Sequence, residues 1–502
     1  MKFIFVFFLA SITFANCSFY DSNGHLAAKK NDALFLILSS LSTCPKDVIE
    51  FKEILQEKGL ITKPTMVSNR GSHNTNSGSF SFFEMVEGSF DQFSLNRNQF
   101  FFGHFTHKDK DNNLKLSKQP QGLMIELIIW DPVKNLYNFY ELIGDKGESK
   151  WFYRGDSLDI LEDNKNLHLQ DDPDKPVFGK KLRCSACHSS GGPIMKELDE
   201  PYNDWWKIKK GFNLKDLKPD HEVKEILEQL NDASLLAQEV KSGIVKLEKS
   251  LVREKSLQEI LRPLFATMEI NLASSKTSLN KATKINIPST YWLDPRLGEV
   301  NIELSQKDYL KALFDVSNFP ESNAIDANYP WLTPVKSFSD IHSIDKAIEE
   351  GIIDEHFVLS ILAVDFKNPI FSKKRSSLLK SVPKNATIDW REIFFENIKI
   401  NKTRASEEFL FFYQKSSSEI KSYIREEMKK ETDNFLLINE IENLVKKREM
   451  IKKSEISKNP LGEILEPGFR VIFPDIDLIK LKTKRSCSLA LKAFIHEISS
   501  LH

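Results

Sequence analysis

Cysteine is scarce in this chain, with five in 502 residues. That density excludes a disulfide-stapled scaffold. A second C-x-x-C and an H-x-x-x-H are both missing, so a tetrahedral zinc site, which takes four ligands, has no second half. An excess of either charge is lacking too. The 70 Lys and Arg face 71 Asp and Glu for a net charge of −1, which argues against nucleic acid as a partner. Past the first residues no apolar run is long enough for a bilayer, so no transmembrane helix is expected. Internal repeats and low-complexity tracts are absent.

What is present suits a globular protein of two or three domains, 41% hydrophobic and 28% charged. Phenylalanine is abundant at 37, material for an aromatic core or for apolar walls around a large flat cofactor. Lys2 followed by the apolar stretch Ile4 to Ala10 has the form of a secretory signal peptide, expected to span 1–16. Two processing readings stay open. In one, Phe14-Ala15-Asn16-Cys17 is a relaxed lipoprotein box that leaves a lipid anchor on Cys17. In the other, cleavage follows Ala15. Either way the chain is expected to be exported, as a periplasmic protein or as a membrane-anchored lipoprotein facing the periplasm or cell surface. Cys44 and Cys487 then either pair in an oxidising compartment or stay as buried thiols.

The most specific stretch is Arg183-Cys184-Ser185-Ala186-Cys187-His188. Its C-x-x-C-H pattern is that of c-type haem attachment. Cys184 and Cys187 would add to the two vinyl groups of one haem c as thioethers, and His188 would ligate iron from the proximal side. By residue frequency alone the pattern arises about once per thousand chains of this composition. Arg183, beside the first cysteine, is a candidate propionate contact, as are Lys180, Lys181 and Arg154.

The distal ligand separates electron carrier from catalyst. Met195 lies seven residues past His188, at most about 24 Å of extended chain. With Gly191-Gly192-Pro193 in between, that path is too short to round a porphyrin rim. Met268 and His104 are the candidates, and Met124, His73 and His107 lie in the same β-rich part as His104.

The expected fold class is α+β: an antiparallel β-rich haem-bearing part followed by a mainly helical C-terminal half. Residues 17–60 read as N-terminal helices with Pro45 in the first turn of the second. Residues 61–206 read as the β-rich part, including a meander of Leu123 to Trp130, Leu136 to Ile143 and Lys150 to Arg154. Residues 207–285 read as a helical segment packing on the haem part, with Asp220 as an N-cap and helix to about Ala273. Residues 286–502 read as a mainly helical domain. There Ser343 caps a helix over Ile344 to Glu350, Gly351 ends it and Asp354 starts another. Lys446 to Lys458 reads as a solvated basic helix face.

The stretch from 61 to 206 resembles a family of exported bacterial proteins that carry one c-type haem. The resemblance rests on Gly103-His104-Phe105, Glu126 to Pro132, Asn138 to Gly144, Trp151 to Asp156, and Phe178 to Cys184 running into Gly192 to Leu198. Arg262-Pro263-Leu264-Phe265 and Val364 to Pro369 extend it over most of the chain. It implies haem binding and electron transfer with an unidentified redox partner, and names no reaction. A β meander followed by C-x-x-C-H is also similar in layout to the cytochrome c-prime-beta group, which implies an open distal face. Two functions follow as expectations: an exported electron-transfer cytochrome, or a haem enzyme of peroxidase or oxygenase type whose 200–500 region handles substrate.

Overall fold

In a computed structural model of the chain, the structure describes residues 17–21, 23–67, 81–116, 122–145, 147–162, 184, 188, 190–193, 217–251, 255–266, 270–278, 284–288, 294–298, 301–305, 330–336, 338–369, 372–384, 389–430, 464–466 and 469–471. The fold is α+β, with the sheet in the N-terminal half and helices after it.

Two short helices come first. Asp32 caps α1 (Ala33–Ser39) by accepting the Phe35 amide, and Asp47 caps α2 (Val48–Glu57) by accepting those of Ile49 and Glu50. Pro45 stands outside α2, before its cap, where its carbonyl accepts the indole N–H of Trp151. The strands are β1 (Phe19–Tyr20), β2 (Leu60–Val67), β3 (Ser81–Phe90), β4 (Phe93–Leu95), β5 (Phe100–Lys108), β6 (Asn113–Leu116), β7 (Gly122–Asp131), β8 (Leu136–Asp145), β9 (Glu148–Asp156) and β10 (Lys218–Pro219). The main sheet runs β1-β9-β8-β7-β5-β3-β2. It is antiparallel except where β1 joins β9, and β10 joins β6 in parallel at its margin. The turn between β7 and β8 forms because Asp131 accepts the amides of Val133 and Lys134, while Asn135 takes a positive φ of 56°.

Strand alternation divides the interior. Phe100, Phe102, Leu127 and Tyr140 face α1 and α2. Phe101, Ile128, Tyr137 and Phe139 face the opposite way, onto Leu236, Val240, Ile244 and Leu247. Those four belong to α4 (Ala233–Leu251), which follows α3 (His221–Glu228), a helix capped by Asp220 as expected. Gly243 lets α4 close on the sheet: a Cβ there would meet Tyr137 Oη at 2.7 Å and Pro193 at 2.8 Å.

The C-terminal half has its own core. It is built from α5 (Leu257–Phe265), α6 (Phe338–Glu349), α7 (Glu355–Ala363), α8 (Lys373–Leu378), α9 (Trp390–Asn401), α10 (Arg404–Tyr413) and α11 (Ser417–Lys429). Its centre is Phe357, with the rings of Phe394 and Phe409 at 5.5 and 5.7 Å. Much of the phenylalanine therefore serves as core.

Two expectations need correction here. Helix does not run to Ala273: β11 (Ile270–Ser278) begins there and pairs with β14 (Pro330–Lys336), while β12 (Lys284–Pro288) pairs with β13 (Asn301–Ser305). Nor does Ser343 start a helix. α6 begins five residues earlier, and the Ser343 hydroxyl donates to Glu248 of α4. Gly351 and Asp354 end and start helices as expected. The basic run Lys446 to Lys458 lies outside the described residues.

Candidate haem-attachment site

Of the C-x-x-C-H motif, Cys184 and His188 are described, and Cys184 packs half-buried at the edge of the core between the sheet and α4. The His188 amide donates to the Cys184 carbonyl at 2.9 Å, which holds the two residues' backbones together. Past His188 the chain reverses through Gly191, whose φ is +75° and whose amide donates to the His188 carbonyl. A Cβ at Gly191 would stand 2.6 Å from the Ser157 carbonyl, and one at Gly192 would stand 2.6 Å from Leu247. Glycine here is a requirement of close approach to the end of β9 and to α4.

That reversal fixes the imidazole. His188 Nδ1 lies 2.7 Å from the Gly192 carbonyl. A carbonyl only accepts, so the proton sits on Nδ1 and the lone pair on Nε2, the nitrogen that an iron would take. The Phe139 ring meets the imidazole edge-on, with centroids 5.2 Å apart at 70°. A metal-ligating histidine is held in this way, by a backbone acceptor on its other nitrogen. Of the expected donors, the His188 imidazole is held in the tautomer that a haem iron would need. Arg183 and Cys187 lie outside the described residues, as do Lys180, Lys181, Met195, His73 and the distal candidate Met268.

The structure does not bring His104 to this site. It projects from β5 with Phe100 and Phe102, toward α2, whereas Phe139 and His188 lie on the other face of the sheet. The expectation of His104 as a distal ligand is corrected by strand parity, since the sheet stands between it and His188. Met124 packs on the α1–α2 side as well. His104 is fully buried, its Nε2 at 2.7 Å from Glu84 Oε1, and Lys52 of α2 reaches that same oxygen at 2.7 Å. Burial pushes the Glu84 carboxyl up, but Lys52 and His104 outweigh it and bring it down to about 2. Burial lowers the imidazole, against the pull of Glu84. A neutral histidine beside an ionised glutamate results. Gly103 is needed next to it, because a Cβ would meet Glu126 and Phe83 at 2.9 Å. Arg154 is buried and donates through Nε to Glu141 at 2.8 Å, so its charge already has a carboxylate partner.

The cysteines also differ from expectation. Cys17 is bonded to Cys44. Cys44 is therefore neither a thiol nor a partner for Cys487, which lies outside the described residues. A sulfur in a disulfide cannot carry a thioether lipid, so of the two processing readings left open the lipid anchor at Cys17 does not agree with this bond.

Sequence reasoning missed the Gly192 carbonyl and Phe139 as the groups that hold His188. The signal was present in Gly191-Gly192-Pro193, which reads as a turn; the use of the turn depends on contacts with Ser157 and Leu247. Among the described residues no cluster of three His, Cys, Asp or Glu could hold a metal ion by itself, and no helix is long and apolar enough to cross a membrane. No family model, no curated protein and no solved structure matches the chain.

Proposed function

We propose that the protein is an exported c-type cytochrome, with one haem joined to Cys184 and Cys187, ligated by His188 and used for electron transfer. The observation that carries this reading is the His188 Nδ1 bond to Gly192 at 2.7 Å within a C-x-x-C-H motif. It presets the tautomer for a metal on Nε2, which a surface histidine does not need. The haem, when bound, supplies an iron that cycles between two oxidation states. The chain's part is to hold the imidazole, to press the loop against α4 and β9, and to shield one side with Phe139. A disulfide between Cys17 and Cys44 supports an oxidising compartment, and so export. Membership of the exported monohaem family belongs to the same proposal.

The test is production in a host that exports the chain and attaches haem c. The expected product keeps haem stain on a denaturing gel, and Cys184→Ala with Cys187→Ala removes it. Unaltered stain in the double variant would end the assignment.

A further inference from the structure

The end of α4 touches the His188 loop with one residue and the helical half with the next. Leu247 lies so close to Gly192 that a Cβ on the glycine would stand 2.6 Å from its Cδ2. Gly243, four residues earlier and so on the same side of the helix, lies against Pro193. Between these two contacts sits Gly192, whose carbonyl holds His188 Nδ1. Glu248 follows Leu247 and is 4% exposed. Its carboxylate accepts the hydroxyl of Ser343 of α6 at 3.1 Å and faces Lys255 Nζ at 3.3 Å. Phe338, at the start of α6, packs on the same cluster as Leu247, and Lys241 of α4 lies 5.6 Å from its ring centroid.

Two clamps therefore act on α4. In the first, the Asn98 side chain donates to Ser242 Oγ at 2.6 Å, and the Asn98 carbonyl accepts Tyr137 Oη. That clamp lies within the sheet half. The second, at Glu248, reaches into the helical half and acts one residue from Leu247.

We infer that Glu248 is a positioning residue for His188: tied to Ser343 and Lys255, it fixes the turn of α4 that carries Leu247, and Leu247 seats the Gly192 carbonyl on the imidazole. The inference rests on the cytochrome reading for its use, and it gives the helical half a part there, which is to set the nitrogen that His188 offers to iron. Stability alone does not explain a carboxylate at this place, because a buried ion pair gains little over apolar side chains of the same size. Two directional partners, by contrast, fix the rotation of a helix end. Contiguous contact is not yet coupling, and the tautomer of His188 reads the coupling out.

The full-length chain is made in a host that attaches no haem, so that Nε2 is free to take the proton. Its histidine nitrogens are isotope-labelled and followed by NMR at about pH 8, above the ordinary histidine range. The His188 signals are those lost in His188→Gln. In the parent the proton is expected on Nδ1. Ser343→Ala and Glu248→Leu should each lower the ratio of Nδ1–H to Nε2–H by about fivefold, the weight of one net hydrogen bond. Glu248→Gln keeps an acceptor for Ser343 and should keep the parent's ratio. Asp354→Ala removes the cap of α7; it should lower the melting temperature and leave the ratio alone, which separates positioning from general loosening. Should Glu248→Leu fail to fold, Ser343→Ala decides. Mixed tautomers in the parent, or an unchanged ratio in Ser343→Ala, overturn the inference, and haem stain on the parent from a haem-attaching host then leaves the cytochrome reading standing. A parent that takes no haem there, with the ratio shifting as expected, sinks the cytochrome reading instead and keeps Glu248 as the residue that positions His188.

Discussion

The His188 Nδ1 is held by the Gly192 carbonyl, and that carbonyl is placed by a glycine pair. Gly191 needs a positive φ and lies against backbone, the Ser157 carbonyl, which cannot move aside as a side chain can. Gly191→Ala is therefore expected to cost about 1–3 kcal/mol and to lower haem incorporation, read by thermal melting and by haem stain. Gly192→Ala meets only the mobile end of Leu247 and should be milder. A second residue gives a pH test. Burial pushes the Asp32 carboxyl up to about 6, against hydrogen bonds from Tyr140, the Phe35 amide and Asn138. The folded state thus holds this proton better than the unfolded one does. The stabilising contribution is full below about pH 4 and is lost as pH rises through 6. From pH 5 to 7 the loss is about 1 kcal/mol. Asp32→Asn, still a good cap, should flatten the change in melting temperature over that range; an unchanged slope would contradict the assignment. At this scale the sequence named the cap Asp220, and it marked Cys184 and His188 as the candidates on which the proposal rests. It could not show that Cys17 meets Cys44, because that pairing depends on how β1 lies along β9.

Among the elements, the meander was legible nearly to the residue. Its strands alternate, and Asp131 to Asn135 has turn chemistry. The direction in which β5 turns His104 was not legible, because alternation fixes two faces without saying which one covers the haem motif. Parity places His104 with Glu84 and Lys52, an ion pair between α2 and β3 that is hydrogen-bonded to a neutral histidine on β5. Lys52→Met would leave the buried Glu84 carboxylate without its cation, at an expected cost of about 3 kcal/mol near neutral pH. Since the folded Glu84 pKa is depressed to about 2, its contribution is present above the ordinary carboxylate range and is lost as pH falls from that range through about 2. The cost of Lys52→Met, followed by denaturant unfolding, should therefore shrink on acidification. In the helical half, Val364 to Pro369 has a structural explanation. The buried Arg375 guanidinium donates to the carbonyls of Leu362, Val364, Asn368 and Pro369, closing the end of α7. Arg375→Met should unfold that half at lower denaturant, since three buried carbonyls and the part-buried one of Asn368 lose their donor.

At the scale of the molecule, the described residues of the sheet half and of the helical half are held by different means. The sheet half is layered between α1–α2 and α4, and its start is tied by the Cys17–Cys44 bond. Opening that bond should cost about 3 kcal/mol and is checked by melting the protein with and without reductant. Peptide mapping under non-reducing conditions should recover Cys17 joined to Cys44. The overall α+β order was readable because helical and alternating periods occupy different halves of the chain. The β11–β14 and β12–β13 ribbons were not, since their partners lie far apart or across proline-rich sequence. The most direct measurement is the intact mass and visible spectrum of the mature protein from a haem-attaching host. The account predicts the added mass of one haem and a Soret band that survives denaturation, both lost when Cys184 and Cys187 become alanine. A colourless protein with the mass of the bare polypeptide would contradict it.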